Sequence, residues 1–152
     1  MVGPELQLRP HRVNRKANST KGTSPVTTLT PDQLAALLRA SAAGYYTDEA
    51  AALLVYGHRS WLTRRDFTAA CLNYDHDGTA PIAWIDWEAV PAYVERAACS
   101  SSEGRVLRLA AELAGVDTGV PLGDLLTSLD DDNSRLVLAA IAHALHTGDG
   151  RR

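Results

Sequence analysis

Asn73, Asp75, Asp77 and Gly78 match positions 1, 3, 5 and 6 of a calcium loop, where oxygen ligands and a sharply turning glycine wrap a hard cation. Position 12 of that loop, which should bring a bidentate Glu, is Trp84. Asp86 and Glu88 lie too far along to replace it without rebuilding the loop, so the stretch reads as an Asx turn. His58, Asp75, His76 and Asp77 would form a transition-metal cluster only if a helix met that turn, and nothing in their spacing requires it. Nucleophilic catalysis would need Cys71, Cys99 or a serine beside one of His58, His76, His143 and His146, and none of these sits in a local signature for such a pair. There is no glycine-rich phosphate loop and no dinucleotide fingerprint. The expectation is a protein without a metal, a cofactor or a catalytic residue, and not an enzyme.

Binding chemistry is better represented. His58, Arg59, Ser60, Arg64 and Arg65 follow an Ala/Leu-rich stretch, and arginine reads guanine edges and phosphates with a planar fork of donors. Thr47-Asp48-Glu49-Ala50-Ala51 followed by Leu53-Leu54 is similar to the opening of excisionase-type DNA readers. That resemblance implies a helix-turn-helix over 47–70, with the first helix crossing the backbone and the second entering the major groove. The match departs at the turn: Gly57 is preceded four residues earlier by Leu53 rather than by a small residue, and Trp61 stands where the second helix would start.

All nine aromatic residues fall between Tyr45 and Tyr93. Large rings dominate both cores and interfaces. Trp61, Trp84, Trp87 and Tyr93 are therefore candidates for a protein-binding face, with Trp84 and Trp87 three apart on a presumed helix. The competing assignment is that these rings fill the core of a small bundle. Charge divides the chain as sharply. Residues 1–29 hold five basic side chains, Arg12, Arg15 and Lys16 among them, against the single acid Glu5, a balance of +4; the remainder holds ten against seventeen, a balance of −7. A basic arm on an acidic body suits contact with phosphate, with an acidic partner or with a second copy of the chain.

The elements that must position these groups are helical. Thr30-Pro31-Asp32-Gln33 is a capping box with proline at the first helical position. A second helix is predicted from Thr47 to about Gly57. A third is predicted from Thr63 with Asp66 in its capping box, aligning Phe67, Cys71 and Tyr74. Residues 73–79 read as a turn, and 81–85 as either extended or a short irregular link, since alternation over so few residues does not decide between them. Asp86 is placed to cap a fourth helix that Pro91 kinks or delays. Ser100 and Glu103 open a fifth helix that Gly115 closes, Pro121 starts a short one to about Leu129, and the run Asp130-Asp131-Asp132-Asn133 caps the last. The fold class is all-α: a single compact orthogonal bundle of six or seven short helices over 30–147, with disordered segments at 1–29 and 148–152.

At 152 residues the chain is one ordinary domain, able to bury roughly 68–70% of the surface that its unfolded form exposes. It carries no long apolar run and no apolar stretch behind the basic N-terminus, so no membrane contact is expected and a cytoplasmic location is. Cys71 and Cys99 are expected as free thiols. Thirteen arginines stand against two lysines. With that composition, the run 47–67, Ile85-Asp86-Trp87 and Arg105-Val106-Leu107-Arg108-Leu109-Ala110 resemble a group of small uncharacterised all-α proteins from actinobacteria, over about residues 30–147. The resemblance implies a compact helical fold in a bacterial cytosol and no particular activity. The functional expectation is a non-enzymatic interaction or regulatory module that acts through segment 45–93 on a protein partner, which includes itself. The alternative is a DNA-binding regulator using 47–70 with the arm.

Overall fold

The computed structural model describes residues 29–76 and 80–146. The arm with Arg12, Arg15 and Lys16, the loop residues Asp77 and Gly78, and the C-terminal segment lie outside the described residues. Leu29, assigned above to the arm, packs against the core and belongs to the body.

Seven α-helices and one hairpin make up the described fold, in the order α1 (Pro31–Ala42), α2 (Tyr46–Gly57), α3 (Arg65–Cys71), β1 (Leu72–His76), β2 (Pro81–Ile85), α4 (Val90–Arg96), α5 (Ser101–Leu113), α6 (Leu122–Leu126) and α7 (Asp131–Ala144). The chain is mostly helical but not all-α. β1 and β2 pair antiparallel, with Leu72 opposite Ile85 and Tyr74 opposite Ala83 on one face, and Asn73 opposite Trp84 on the other. Pleating decides what each residue does: Leu72, Ala83 and Ile85 are buried, while Asn73 and Asp75 face outward. The predicted third helix therefore stops at Cys71, and Tyr74 sits in a strand that the i, i+4, i+7 spacing had placed on a helix.

Where side chains dictate helix ends, sequence and structure coincide. Thr30 Oγ1 accepts the Gln33 amide at 3.2 Å while Gln33 Oε1 accepts the Thr30 amide at 2.8 Å. Ser100 and Glu103 form the same reciprocal pair at 3.2 and 2.7 Å. Asp130 accepts the Asn133 amide at 2.8 Å and caps α7. Helix α5 closes in a Schellman motif, with Val116 N–H donating to Ala111 O, Gly115 N–H donating to Glu112 O, and Gly115 at φ 86°. Asp86 does not cap a helix. A 3₁₀ turn over Trp87–Ala89 comes first, and α4 begins only where Pro91 falls in its first turn, which needs no donor.

Helix α2 is the axle. Ala50, Ala51, Ala52, Leu54 and Val55 are all buried, and α1, α5 and α7 pack around it. At one end of the axle the chain turns through a 3₁₀ segment, Trp61–Thr63, that drops Trp61 into the core at 0% exposure. Its ring stands 5.5 Å from Phe67 and 6.2 Å, edge-on, from Tyr93, and Phe67 and Tyr93 are themselves 5.5 Å apart. Such edge and tilted pairs add roughly 0.5–1.5 kcal/mol beyond area burial. The Trp61 Nε1 donor is buried and finds no partner among the described residues, which the packing around the ring must offset. Trp61→Ala is expected to cost about 3–5 kcal/mol in equilibrium denaturation, the cost of emptying a large aromatic site. A loss under about 1 kcal/mol would show that this cluster is not the anchor of α3 and α4.

Candidate functional site

Three groups of side chains outside the apolar core can do chemistry. The first surrounds Arg64, which leads α3. Its guanidinium donates to both carboxylate oxygens of Asp66, at 3.2 and 2.8 Å, and to Ala98 O at 3.1 Å, and it lies 5.3 Å over the Trp61 ring. Tyr93 Oη donates to Asp66 Oδ2 at 2.7 Å. The Arg64 and Tyr93 hydrogen bonds hold the Asp66 carboxyl well below the usual range. Burial, then the bond to Asp66, pushes the Tyr93 hydroxyl upward. This is a tie between the start of α3, α4 and the segment after α4, and it occupies the arginine that was expected to meet DNA.

Neighbouring candidates part company there. Arg59, at φ 65°, and Arg65 are exposed. Arg64 is held. His58 and Ser60 bond to each other, Nδ1 to Oγ at 2.7 Å, and burial lowers the imidazole pKa against the opposing pull of Glu103 and Asp130. The two helices of the proposed helix-turn-helix are separated by residues 58–64, which contain the buried 3₁₀ turn, and α3 has only 7 residues. A helix-turn-helix joins its helices through three or four residues, so the geometry over 47–70 departs from that motif. Trp61 at its centre is the cause, because burying that ring draws the connection inward.

The expected aromatic face is likewise divided. Trp61 and Tyr93, at 0% and 3% exposure, are core residues and present no ring to a partner. Trp87 packs against the core from the 3₁₀ turn. Trp84 lies on β2 opposite Asn73, on the outer face of the hairpin and partly buried. Trp84 and Trp87 share no helical face, because the residues between them leave the strand at Asp86.

The second group lies between α1, α2 and the end of α7. His143 Nε2 meets Glu49 Oε2 at 2.5 Å, and Glu49 Oε1 accepts the Gly44 amide at 2.8 Å. The Gly44 bond, then His143, lowers the Glu49 pKa. Arg39 lies 4.7 Å over the Tyr56 ring beside them. Tyr46 stacks at a tilt on His143 and His146. The third group joins two helix starts: Ser102 Oγ donates to Asp130 Oδ2 at 2.9 Å, and Asn133 Nδ2 donates to Ser102 Oγ and to Asp130 Oδ2, each at 2.8 Å. Asn133, the buried polar residue among those described, is thereby satisfied.

Neither thiol is poised to react. Cys71 is buried and its pKa is pushed up to about 12 by desolvation, and burial also raises that of the half-buried Cys99. Among the described residues no three His, Cys, Asp or Glu side chains converge as metal ligands, and no helix is long and apolar enough to cross a membrane. Asp75 and His76 end strand β1.

Sequence reasoning missed the Glu49–His143 and Arg64–Asp66–Tyr93 groups, whose far members are 94 and 27 residues away. Only the acid in the first turn of α2 and the capping spacing of α3 hinted at them. No protein-family model matches the chain, and no curated protein or solved structure matches it.

Because the folded-state pKa of Asp66 is depressed, its contribution is complete above the ordinary carboxylate range and is lost below that range, as pH falls toward the lowered folded-state value. Asp66 is half exposed, so screening limits its worth. Asp66→Asn is expected to cost about 1 kcal/mol at pH 7, with the gap from wild type closing below about pH 4. Paired denaturant titrations at the two pH values check this, and a gap independent of pH refutes the charge-based account.

Proposed function

We propose that this protein is a non-enzymatic interaction module whose contact face is the outer side of α7 together with the start of α2, and that the partner which this face fits is a second copy of the chain. The observation that carries the reading is the exposure of large apolar side chains on α7, just after it, and at the start of α2. Leu138 on α7 and Leu145 just after it are 68% and 66% exposed, and Tyr45 and Tyr46 at the start of α2 are 67% and 42% exposed. Leu138 and Leu145 fall at i and i+7, away from the inward face that buries Val137 and Ala140, while Ile141 between them is partly buried and packs against the core. Tyr46 touches His143 and His146, which sets the start of α2 against the end of α7. Single apolar residues on a surface need no explanation, but a contiguous set of them marks a contact site.

A two-fold partner suits the charge pattern of α7. Asp130, Asp131 and Asp132 stand at its start, and His143 and His146 at its end. Antiparallel pairing of two α7 helices sets the acidic turn of each toward the histidine end of the other and opposes their dipoles. The aromatic segment contributes Tyr45 and Tyr46 to this face, while its tryptophans serve the core and the hairpin.

Sedimentation velocity of the full chain is expected to show a concentration-dependent dimer. Leu138→Glu with Leu145→Glu is expected to return it to monomer with unchanged circular dichroism, since both side chains are exposed. Trp84→Ala, on the hairpin, is expected to leave the dimer intact. A monomer at all concentrations, or a dimer indifferent to the double substitution, overturns the assignment.

A further inference from the structure

We infer that the cleft between α1, α2 and α7 is a binding site for a small carboxylate with an apolar body. The inference goes beyond the contact face, because it concerns a cavity whose key cation is on α1. The cleft holds about 270 Å³ and is lined by Arg39, Ala43, Glu49, Leu53, Tyr56 and His143. Its walls are mostly apolar, with Leu53, Ala43 and the Tyr56 ring beside the charged groups of Arg39, Glu49 and His143. Ligand sites generally combine an apolar lining with a small number of placed polar groups, at volumes from about 300 Å³ upward for drug-sized ligands. A cleft of this size suits a single ring or a short chain.

The ligand class follows from which charges are already answered. Both oxygens of Glu49 are engaged, one by the Gly44 amide and the other by His143, so this carboxylate is satisfied within the fold. Arg39 is different. Its guanidinium carbon lies 4.7 Å over the Tyr56 ring, and among the described residues no carboxylate pairs with it. A guanidinium over a ring face keeps N–H donors available, and those donors match the two oxygens of a carboxylate. An apolar wall beside one unanswered guanidinium is complementary to an anion with an apolar body. A strongly hydrated inorganic anion gains nothing from Leu53 and Tyr56, and a neutral apolar molecule leaves Arg39 unanswered.

Phenylacetate is the probe, and phenylacetamide, of the same shape without the charge, is its control. In amide-resolved NMR titrations of the full chain, phenylacetate is expected to shift the Arg39, Leu53 and Tyr56 signals saturably, and phenylacetamide to bind at least about tenfold more weakly, as the loss of a charge-assisted hydrogen bond dictates. Arg39→Gln is expected to remove the preference for the acid. Arg39 is exposed, so the variant should keep its fold, and an unchanged thermal melt checks that. Arg135→Gln removes the same charge from an exposed pair on α7 and is expected to bind as wild type does. Absence of a saturable shift, equal binding of acid and amide, or equal loss in Arg135→Gln would each overturn the site; general charge attraction alone predicts the last.

Discussion

Everything in this fold is arranged around the burial of α2. Beyond its polar first turn α2 is apolar on all sides and must be surrounded, and a short helix can accept several neighbours only if its side chains are small enough to let them approach. Ala50, Ala51 and Ala52 supply that closeness, and Leu54 and Val55 fill the remaining space. The approach is tight at the end of the helix as well: a Cβ at Gly57 would stand 2.6 Å from Leu136 Cδ1 of α7. With α2 enclosed by α1, α5 and α7, the outer faces of those helices are what the molecule has left to offer. Both the exposed outer side of α7 and the cleft beside Arg39 are consequences of that enclosure.

The second organising centre is aromatic. Trp61, Phe67 and Tyr93 form a three-ring cluster that binds the connection after α2 to α3 and α4, and Arg64 closes it by lying over Trp61 while pairing with Asp66. This explains why one arginine of the basic stretch 58–65 is used here as structure, while Arg59 and Arg65 stay exposed. A guanidinium with a bidentate carboxylate, a backbone carbonyl and a ring face has spent its recognition capacity inside the fold. The hairpin follows a similar logic: once α3 ends at Cys71, alternation of Leu72, Asn73 and Tyr74 gives one face to the core and leaves Trp84 on the other.

What could be read from the sequence was whatever is encoded locally. The capping boxes at Thr30/Gln33 and Ser100/Glu103, the aspartate cap of α7 and the glycine closing α5 act over three to six residues, and each lies where its pattern indicates. The hairpin was not legible, because Phe67, Cys71 and Tyr74 satisfy a helical period that only the pairing of Leu72 with Ile85 overrides. Thr63 illustrates the same limit. Its spacing to Asp66 matches a capping box, yet its hydroxyl donates to Ser60 O and Asp66 turns to Arg64 and Tyr93. The candidate sites were the least legible of all, since Glu49 and His143, or Arg39 and Tyr56, meet only after the helices have packed.

The embrace of α2 by α7 also has a consequence in time. Glu49 and His143 are 94 positions apart, and the contact between their helices closes a loop that contains most of the other elements. The entropy of closing a long loop grows only slowly with its length, but it must be met before any contact repays it. During synthesis α2 emerges well before α7, so one flank of its apolar surface has to wait, covered by α1 and α5 alone, until the final helix arrives. The order of the chain thus makes α7 the closing piece of the core, and the moment of its docking separates a partly assembled bundle from the finished one.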